Sequence, residues 1–406
     1  MAEAEPELTE PGPPALSLGA LFLRFLRFGL FAFGGPVAQI AMLRSELVDQ
    51  ERWMSSARFN RLLAVMQVLP GPEAHELCVH LGMRARGRLG GLLAGLGFML
   101  PGFVLMMALS WLYFRIDFER GWVGAALMGV QAAVVALIIR AVHRIGAHGL
   151  QDKWLWGVAA GAAAASAAGV SFWLVLPLGG AVYALARSGR RVSAACLALA
   201  GVALGAGLVL NSEGSSSVVF HGSAVSRPGD VAAWVLFLAG LKAGLLTFGG
   251  AYTAIPFLRA DSARQGWMGD AQFLDGLALS GVLPAPLIIF STFVGYVAGG
   301  PSGAVAITAG VFLPAFAFSL IFYDRLEAVL ENRRLHAFLE GVTAAVVGLI
   351  AVTVGQLLGG LLSEADRRLA TTAILLAALA ATYLWKSKLA PPVILLVAGG
   401  AGAFQP

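Results

Sequence analysis

The residues best suited to chemistry lie around a pair of prolines. Pro70 and Pro72 flank Gly71 in the run Gln67-Val68-Leu69-Pro70-Gly71-Pro72-Glu73-Ala74-His75-Glu76. Each proline lacks an amide donor and disfavours helix at the residue before it, so the chain is expected to stop and restart, with Pro72 near the first turn of the new helix. Free amides at that start, and the positive end of its dipole, favour an anion. Leu283-Pro284-Ala285-Pro286 offers a second such start 214 residues later. A plain proline kink is the alternative at each. Glu73, His75 and Glu76 follow the first break, whereas the aligned positions after the second are Leu287, Ile289 and Phe290. A carboxylate beside an anion repels it unless protonated or paired, so Glu73 or Glu76 suits a proton carrier, with His75 a weaker candidate. Capping of the restarted helix is the alternative for Glu73.

Two glycine pairs stand one segment earlier, in Phe33-Gly34-Gly35-Pro36 and Phe248-Gly249-Gly250. They let backbones approach closely or expose amides to a ligand, and tight packing alone would also explain them. Arg27 and Lys242 each fall in an apolar run six residues before their Phe-Gly-Gly. A cation inside a membrane needs a partner or a purpose, and balancing a substrate anion is one purpose; snorkelling to the interface is the alternative. Arg24 shares the argument at lower weight. Arg27 is expected to matter more than Lys242, because Gln67, Glu73, His75 and Glu76 all belong to the first half. The run His75 to His80 (HELCVH) is not a zinc-protease motif, since its histidines are five apart and fall on different helix faces. No phosphate loop, nucleophile elbow or paired-cysteine metal spacing occurs, so neither an enzyme nor a metal site nor a cofactor is expected.

The elements that position these residues are membrane helices. Only 13% of the 406 residues are charged and 58% are hydrophobic, with a mean hydropathy of +0.79, which excludes a soluble multidomain enzyme. The net charge of +5 resides in short loops, where it orients the chain in a membrane rather than binding nucleic acid. The first 23 residues hold no Lys or Arg, so the basic start of a cleavable signal is missing. Cys78 and Cys196 sit in apolar surroundings and read as packing residues. Apolar runs fall near 16–43, 59–82, 89–114, 121–142, 154–170, 171–186 and 192–211, then near 231–258, 272–298, 302–322, 339–362, 369–385 and 390–404. This predicts an all-α polytopic membrane protein of about 13 segments, organised as an acidic tail (1–15), a first repeat (16–210), a Ser/Gly-rich linker (211–230) and a second repeat (231–406).

The halves align residue by residue. At an offset of 215, Phe33-Gly34-Gly35 meets Phe248-Gly249-Gly250, Arg27 meets Lys242, Arg44 meets Arg259 and Glu46 meets Asp261. At 214, Leu69-Pro70 and Pro72 meet Leu283-Pro284 and Pro286; at 213, Gly82 meets Gly295; at 212, GVQAAVVALI from Gly129 meets GVTAAVVGLI from Gly341. A drift of one residue at a time through loops marks an internal duplication. Seven segments separate equivalent points, so the second repeat is expected to enter from the opposite side, giving two inverted-topology repeats with broken or re-entrant helices. The Arg84, Arg86 and Arg88 loop, placed in the cytoplasm by the positive-inside rule, has an uncharged counterpart at 299–303. The same rule puts Arg187, Arg190 and Arg191, the Arg325/Arg333/Arg334 loop and Lys386/Lys388 inside, while Arg44 to Arg58 and Arg367-Arg368 fit less well. The amino terminus is then cytoplasmic and the linker periplasmic or extracellular.

The motifs FGLFAFGGPVAQIAMLRSELV, QVLPGPEAHEL and GLLAGLGFMLPGF, with LKAGLLTFGGAYTAIPFLR and GVLPAPLIIFSTFVGY in the second half, resemble the chromate ion transporter family in its long-chain form, over about 17–404. The resemblance implies a multi-pass carrier of the bacterial inner membrane that exports chromate on the proton motive force, with sulfate as a competing mimic. The second candidate is a sulfate or other oxyanion carrier. Two departures are visible: Gln39 stands where many relatives carry histidine, and Ala285 replaces the glycine of the second Pro-Gly-Pro. The expected partners are chromate, sulfate as the competitor and the lipid bilayer, with a homodimer left open.

Overall fold

The computed structural model describes residues 12–66, 69–115, 122–211, 231–248, 250–321, 333–363, 368–385, 387 and 389–404. Gln67, Gly249, all but the first residue of the linker, the Arg325 loop, Arg367, Lys386 and Lys388 lie outside them. The described chain is helical: α1 (Leu18–Leu30), α2 (Gly35–Leu43) continuing as a π-helix to Gln50, α3 (Ser56–Met66), α4 (Glu73–Tyr113), α5 (Trp122–Gly149), α6 (Lys153–Ala167), α7 (Phe172–Arg187) and α8 (Arg191–Asn211). The second half contributes α9 (Ala233–Leu245), α10 (Ile255–Arg264), α11 (Asp270–Val282), α12 (Phe290–Ile321), α13 (Arg333–Leu361), α14 (Arg368–Leu384) and α15 (Ala390–Ala403).

Four stretches are long and apolar enough to cross a membrane: Glu73–Tyr113, Trp122–Ala147, Leu287–Ile321 and Arg334–Leu361. A straight helix of 41 residues would reach about 60 Å, twice the hydrocarbon thickness. α4 instead reverses at Arg86 and Gly87, whose φ/ψ are −145°/32° and 64°/−160°, and α12 reverses at Gly299 and Gly300 with −136°/19° and 61°/−156°. The second residue of each turn occupies a region open essentially to glycine alone. The arms of each hairpin then touch backbone to backbone: a Cβ on Gly82 would strike the Gly90 carbonyl, and one on Gly295 would strike that of Gly303. Both turns lie at the 213-residue offset of the sequence alignment.

Four of the thirteen segments read from the sequence are not continuous helices. The proline breaks divide 59–82 and 272–298 as expected, but 16–43 also divides between α1 and α2, and 231–258 between α9 and α10. The physical cause is the Phe-Gly-Gly sequence. Gly34 and Gly35 have φ of 88° and 77°, and Gly250 has 118°, values that end a helix. α1 and α9, with 13 residues each, are about 20 Å long and too short to span alone.

The halves interlock. α1 packs on α4 and α9 on α12, while two helices of each half pack on the long helix of the other, α6 and α7 on α13 and α14 and α15 on α5. Small residues permit the closest approach, for Gly129 on α5 meets the Ala398 carbonyl on α15 and Gly348 on α13 meets that of Ala159 on α6. Cys78 is buried as expected, whereas Cys196 is exposed on α8. Leu23, Trp111, Trp122, Trp156, Leu199 and Leu396 are also exposed, an outer surface suited to lipid.

Candidate functional site

The two kinds of break meet crosswise. At the first Phe-Gly-Gly, Gly34 caps α2 in the left-handed conformation without a side-chain hydrogen bond, and Pro36 stands in the first turn. The first-turn amides of α2 therefore have no intrahelical acceptor and, among the described residues, no side-chain cap. Gln39, 1% exposed, reaches back with its Nε2 to donate to the Ala32 carbonyl at 2.8 Å, which satisfies an acceptor freed by the break. Gly34 and Gly35 open onto a narrow cavity shared with Leu283, Ala285 and Leu287 from the second proline break and with Ser280 and Gly281 of α11. At the other crossing, the Gly71 amide in the first proline break donates to the Thr247 carbonyl, just before the second Phe-Gly-Gly, at 2.8 Å.

From Gly34 and Gly35 the space widens to a cavity of about 310 Å³. Its lining includes Leu137, Arg140, Ala141 and Arg144 from α5, Tyr252, and Thr382, Trp385 and Ser387 at the end of α14. Arg140 and Arg144 are one helical turn apart and so face the same way. The Arg140 guanidinium lies 5.6 Å from the Tyr383 ring centroid, and the neighbouring His143 Nδ1 is 2.7 Å from the Tyr383 hydroxyl. Both arginines bear electrostatically on Tyr252, and Arg144 also bears on Glu73. Two guanidinium groups beside a helix start without a side-chain cap are chemically suited to a small anion, to which the arginines offer positive charge and the amides directed donors. At about 30 Å³ per water, the cavity admits a tetrahedral ion with part of its hydration shell.

The proline breaks differ from their sequence-based expectation. Pro72 caps α4, so the helix restarts at Glu73, and the His75 and Glu76 amides turn back to the Pro72 carbonyl at 2.9 and 3.0 Å. Pro70, Gly71 and Pro72 do not line the cavity, whereas the second break does so through Leu283 and Ala285 beside Pro284 and Pro286. Gly71, at φ 148°, leaves room for the Glu76 carboxyl, whose Oε1 a Cβ there would strike. Ala285 needs no such conformation, and its methyl group occupies the space left by Gly102. Glu76 is fully buried with no hydrogen-bond partner for either carboxyl oxygen among the described residues, and the His75 ring sits edge-on between Phe312 and Phe316 at 4.8 and 4.7 Å. Glu73, also buried, is close enough to Glu76 and to Arg144 to interact electrostatically with both.

Arg27 and Lys242 each have a carboxylate partner, and neither lines the cavity. Arg27 lies 3.3 Å from Glu46, with Arg24 3.5 Å from the same oxygen and bonded to Glu51. Lys242 pairs with Asp261 and sits 5.3 Å from the Phe172 ring centroid. Glu46 and Asp261 are aligned positions, so these are equivalent clamps between the two parts of each broken segment. The sequence reading missed Arg140 and Arg144. Their signal lay in the aligned repeat, where Val352 and Gln356 stand opposite them. It missed Asp275 as well, a buried carboxylate on α11.

A helical membrane protein with broken segments around a cationic cavity belongs to the class of multi-pass carriers. Residues 19–185 and, separately, 234–403 match the chromate transporter family, so this chain belongs to that family and carries its unit twice. It is 63% identical to a chromate transport protein of Pseudomonas aeruginosa, covering 99% of this chain and 95% of that protein. It is 31% identical to a probable chromate transport protein of Synechococcus elongatus, with 96% of each covered, and 30% identical to a chromate transport protein of Cupriavidus metallidurans, with 96% and 92% covered. No solved structure matches the chain.

Proposed function

We propose that this protein exports chromate from the cytoplasm across the bacterial inner membrane as a secondary carrier driven by the proton motive force, and so confers chromate resistance. The observation that carries this reading is the placement of Arg140 and Arg144 opposite the uncapped start of α2 in one cavity. Gly34, Gly35 and Pro36 form the helix-start ligand, and Phe33 and Gln39 hold the break open. Chromate is a tetrahedral dianion whose outward movement gains about 4.6 kcal/mol per 100 mV in a negative-inside cell, twice the single-charge value. Glu73, with His75 and Glu76 behind it, is the proton-carrying group of this reading: an ionised Glu73 would cancel part of the Arg144 charge that the substrate needs.

In the same reading an acidic tail (1–15) and a linker (211–230) flank two repeats (16–210 and 231–406) of opposite orientation, with about thirteen segments between them. The matched reversals at Gly87 and Gly300 and the exchange of partners between α5 and α13 support equivalent halves. Uptake of radiolabelled chromate into everted vesicles tests the reading. Arg140→Gln and Arg144→Gln are each expected to lower uptake at least about tenfold, since a charge-assisted hydrogen bond contributes about 1.5–3 kcal/mol. Uptake unchanged by both substitutions would remove the cavity from the transport path. Stronger uptake of sulfate than of chromate would transfer the same site to a sulfate carrier.

A further inference from the structure

Asp275 lies on α11, is 5% exposed, and belongs to none of the groups used above. Its Oδ1 accepts from Gln131 Nε2 at 2.5 Å and its Oδ2 accepts from the Tyr113 hydroxyl at 2.7 Å. Three elements meet at this carboxyl: α11, α5 through Gln131, and the second arm of α4 through Tyr113. From α12 the Phe293 ring packs on Tyr113 at 5.0 Å and fills the space left by Gly276. The neighbouring face of α15 presents Leu395 to Gly281. Among the described residues no side chain of α10, α13 or any other element forms an ion pair with Asp275, and Tyr113 is the titratable group that touches it.

We propose that Asp275 is a proton-binding site of the transport cycle, distinct from the Glu73 cluster, with Gln131 and Tyr113 holding its ionised form. This rests on the proton-coupled carrier reading above. A carboxylate buried in a membrane protein without a cation is costly to keep, and an amide or an apolar residue would pack at lower cost, so a plain structural role explains it poorly. A metal ion does not suit the position, because both carboxyl oxygens already face N–H and O–H donors and, among the described residues, no group of three or more His, Cys, Asp or Glu gathers there. A proton does suit it. When water delivers one to Oδ2, that oxygen becomes a donor, the Tyr113 hydroxyl turns to accept, and the Gln131 contact loses its charge assistance.

The consequence reaches the substrate cavity through α5. Gln131 shares one stripe of that helix with Val134 and Ile138, which line the cavity, and Arg140 follows about 13.5 Å further along the axis. On the other side of the contact, α11 supplies Leu277, Ser280 and Gly281 to the same cavity. Protonation of Asp275 therefore loosens the contact between two walls of the space that holds the anion, without entering that space.

The test separates transport from its coupling. Purified protein is reconstituted in liposomes, and radiolabelled chromate exchange at equal pH is compared with net chromate flux under an imposed pH gradient. Asp275→Asn, which mimics the neutral carboxyl, is expected to keep exchange within about threefold of the parent while the acceleration by the gradient falls by at least threefold. Gradient acceleration equal to that of the parent would overturn the proposal, as would a parent protein whose flux ignores the gradient. Absence of chromate exchange in the parent would instead remove the carrier reading itself. Should Asp275→Asn fail to assemble, Tyr113→Phe decides: it removes one donor to the ionised form and is expected to move the pH midpoint of exchange upward by about one unit. An unmoved midpoint overturns the proposal.

Discussion

Arg27 and Arg144 look alike in the sequence, an arginine in or at the end of an apolar run, and their neighbours separate them. Arg27 is 63% exposed and shares Glu46 with Arg24, so its loss leaves Glu46 paired. Lys242 is 19% exposed and its partner Asp261 13%, so removing the ammonium leaves a largely buried carboxylate. Breaking a pair that deeply placed costs up to about 3 kcal/mol, whereas an exposed pair contributes little. Lys242→Gln is therefore expected to lower the melting temperature in detergent more than Arg27→Gln does, with Asp261→Asn restoring part of the loss. Thermal unfolding followed by tryptophan fluorescence checks this; a larger effect from Arg27 would return that residue to a role beyond its ion pair. The ranking drawn from the sequence concerns transport, where clustering of polar residues in the first half favours Arg27; the ranking in stability follows burial instead.

Among the elements, the hairpins of α4 and α12 set the depth at which the breaks occur. Each first arm starts at a proline break and ends at a glycine turn, so its length is set by where those residues fall. Gly87 has nothing within 4 Å of a Cβ position, so an alanine there meets no clash and pays only for its backbone, φ 64° and ψ −160°. Such strain costs about 1–3 kcal/mol in a non-glycine residue. Gly87→Ala is expected to lower thermal stability by that amount, while Gly19→Ala in α1, equally unobstructed but free of a positive φ, is neutral or slightly stabilising. Equal stability for the two variants would show that the turn tolerates a side chain and that glycine is not what fixes the reversal.

At the scale of the molecule, each half packs two of its helices on the long helix of the other, α6 and α7 on α13 and α14 and α15 on α5, so neither half completes its own packing. The cationic cavity follows from this exchange. Gly34 and Gly35 come from the first half, Ala285 and Tyr252 from the second, and the arginines of α5 face the end of α14. The proposed opposite orientation of the halves would put the two hairpin turns on opposite sides of the membrane. In a chain whose Cys78 and Cys196 are replaced by alanine, Arg86→Cys and Ser302→Cys are expected to react with an impermeant thiol reagent from opposite faces. Labelling of both from one face would exclude inverted repeats.

Sequence alone determined what depends on local backbone chemistry and on self-comparison. Pro70-Gly71-Pro72 and Pro284-Ala285-Pro286 announced breaks because a missing amide donor and a restricted preceding residue act on the chain wherever it runs. The aligned glycines and the family motifs marked the duplication and the family, because both are properties of residue order. The partners of Arg27 and Lys242 were present in the alignment as Glu46 and Asp261, but their pairing depends on a fold-back at Phe-Gly-Gly that the run of apolar residues conceals. Arg140 and Arg144 became visible as a site only in three dimensions. What they face lies about a hundred residues or more away in the chain: Gly34 and Gly35 before them, Tyr252 and Trp385 after them. Convergence of that kind is decided by which helix packs on which, and in a membrane, where every helix is apolar, small-residue contacts such as that of Gly129 with Ala398 make the choice rather than hydrophobic pattern.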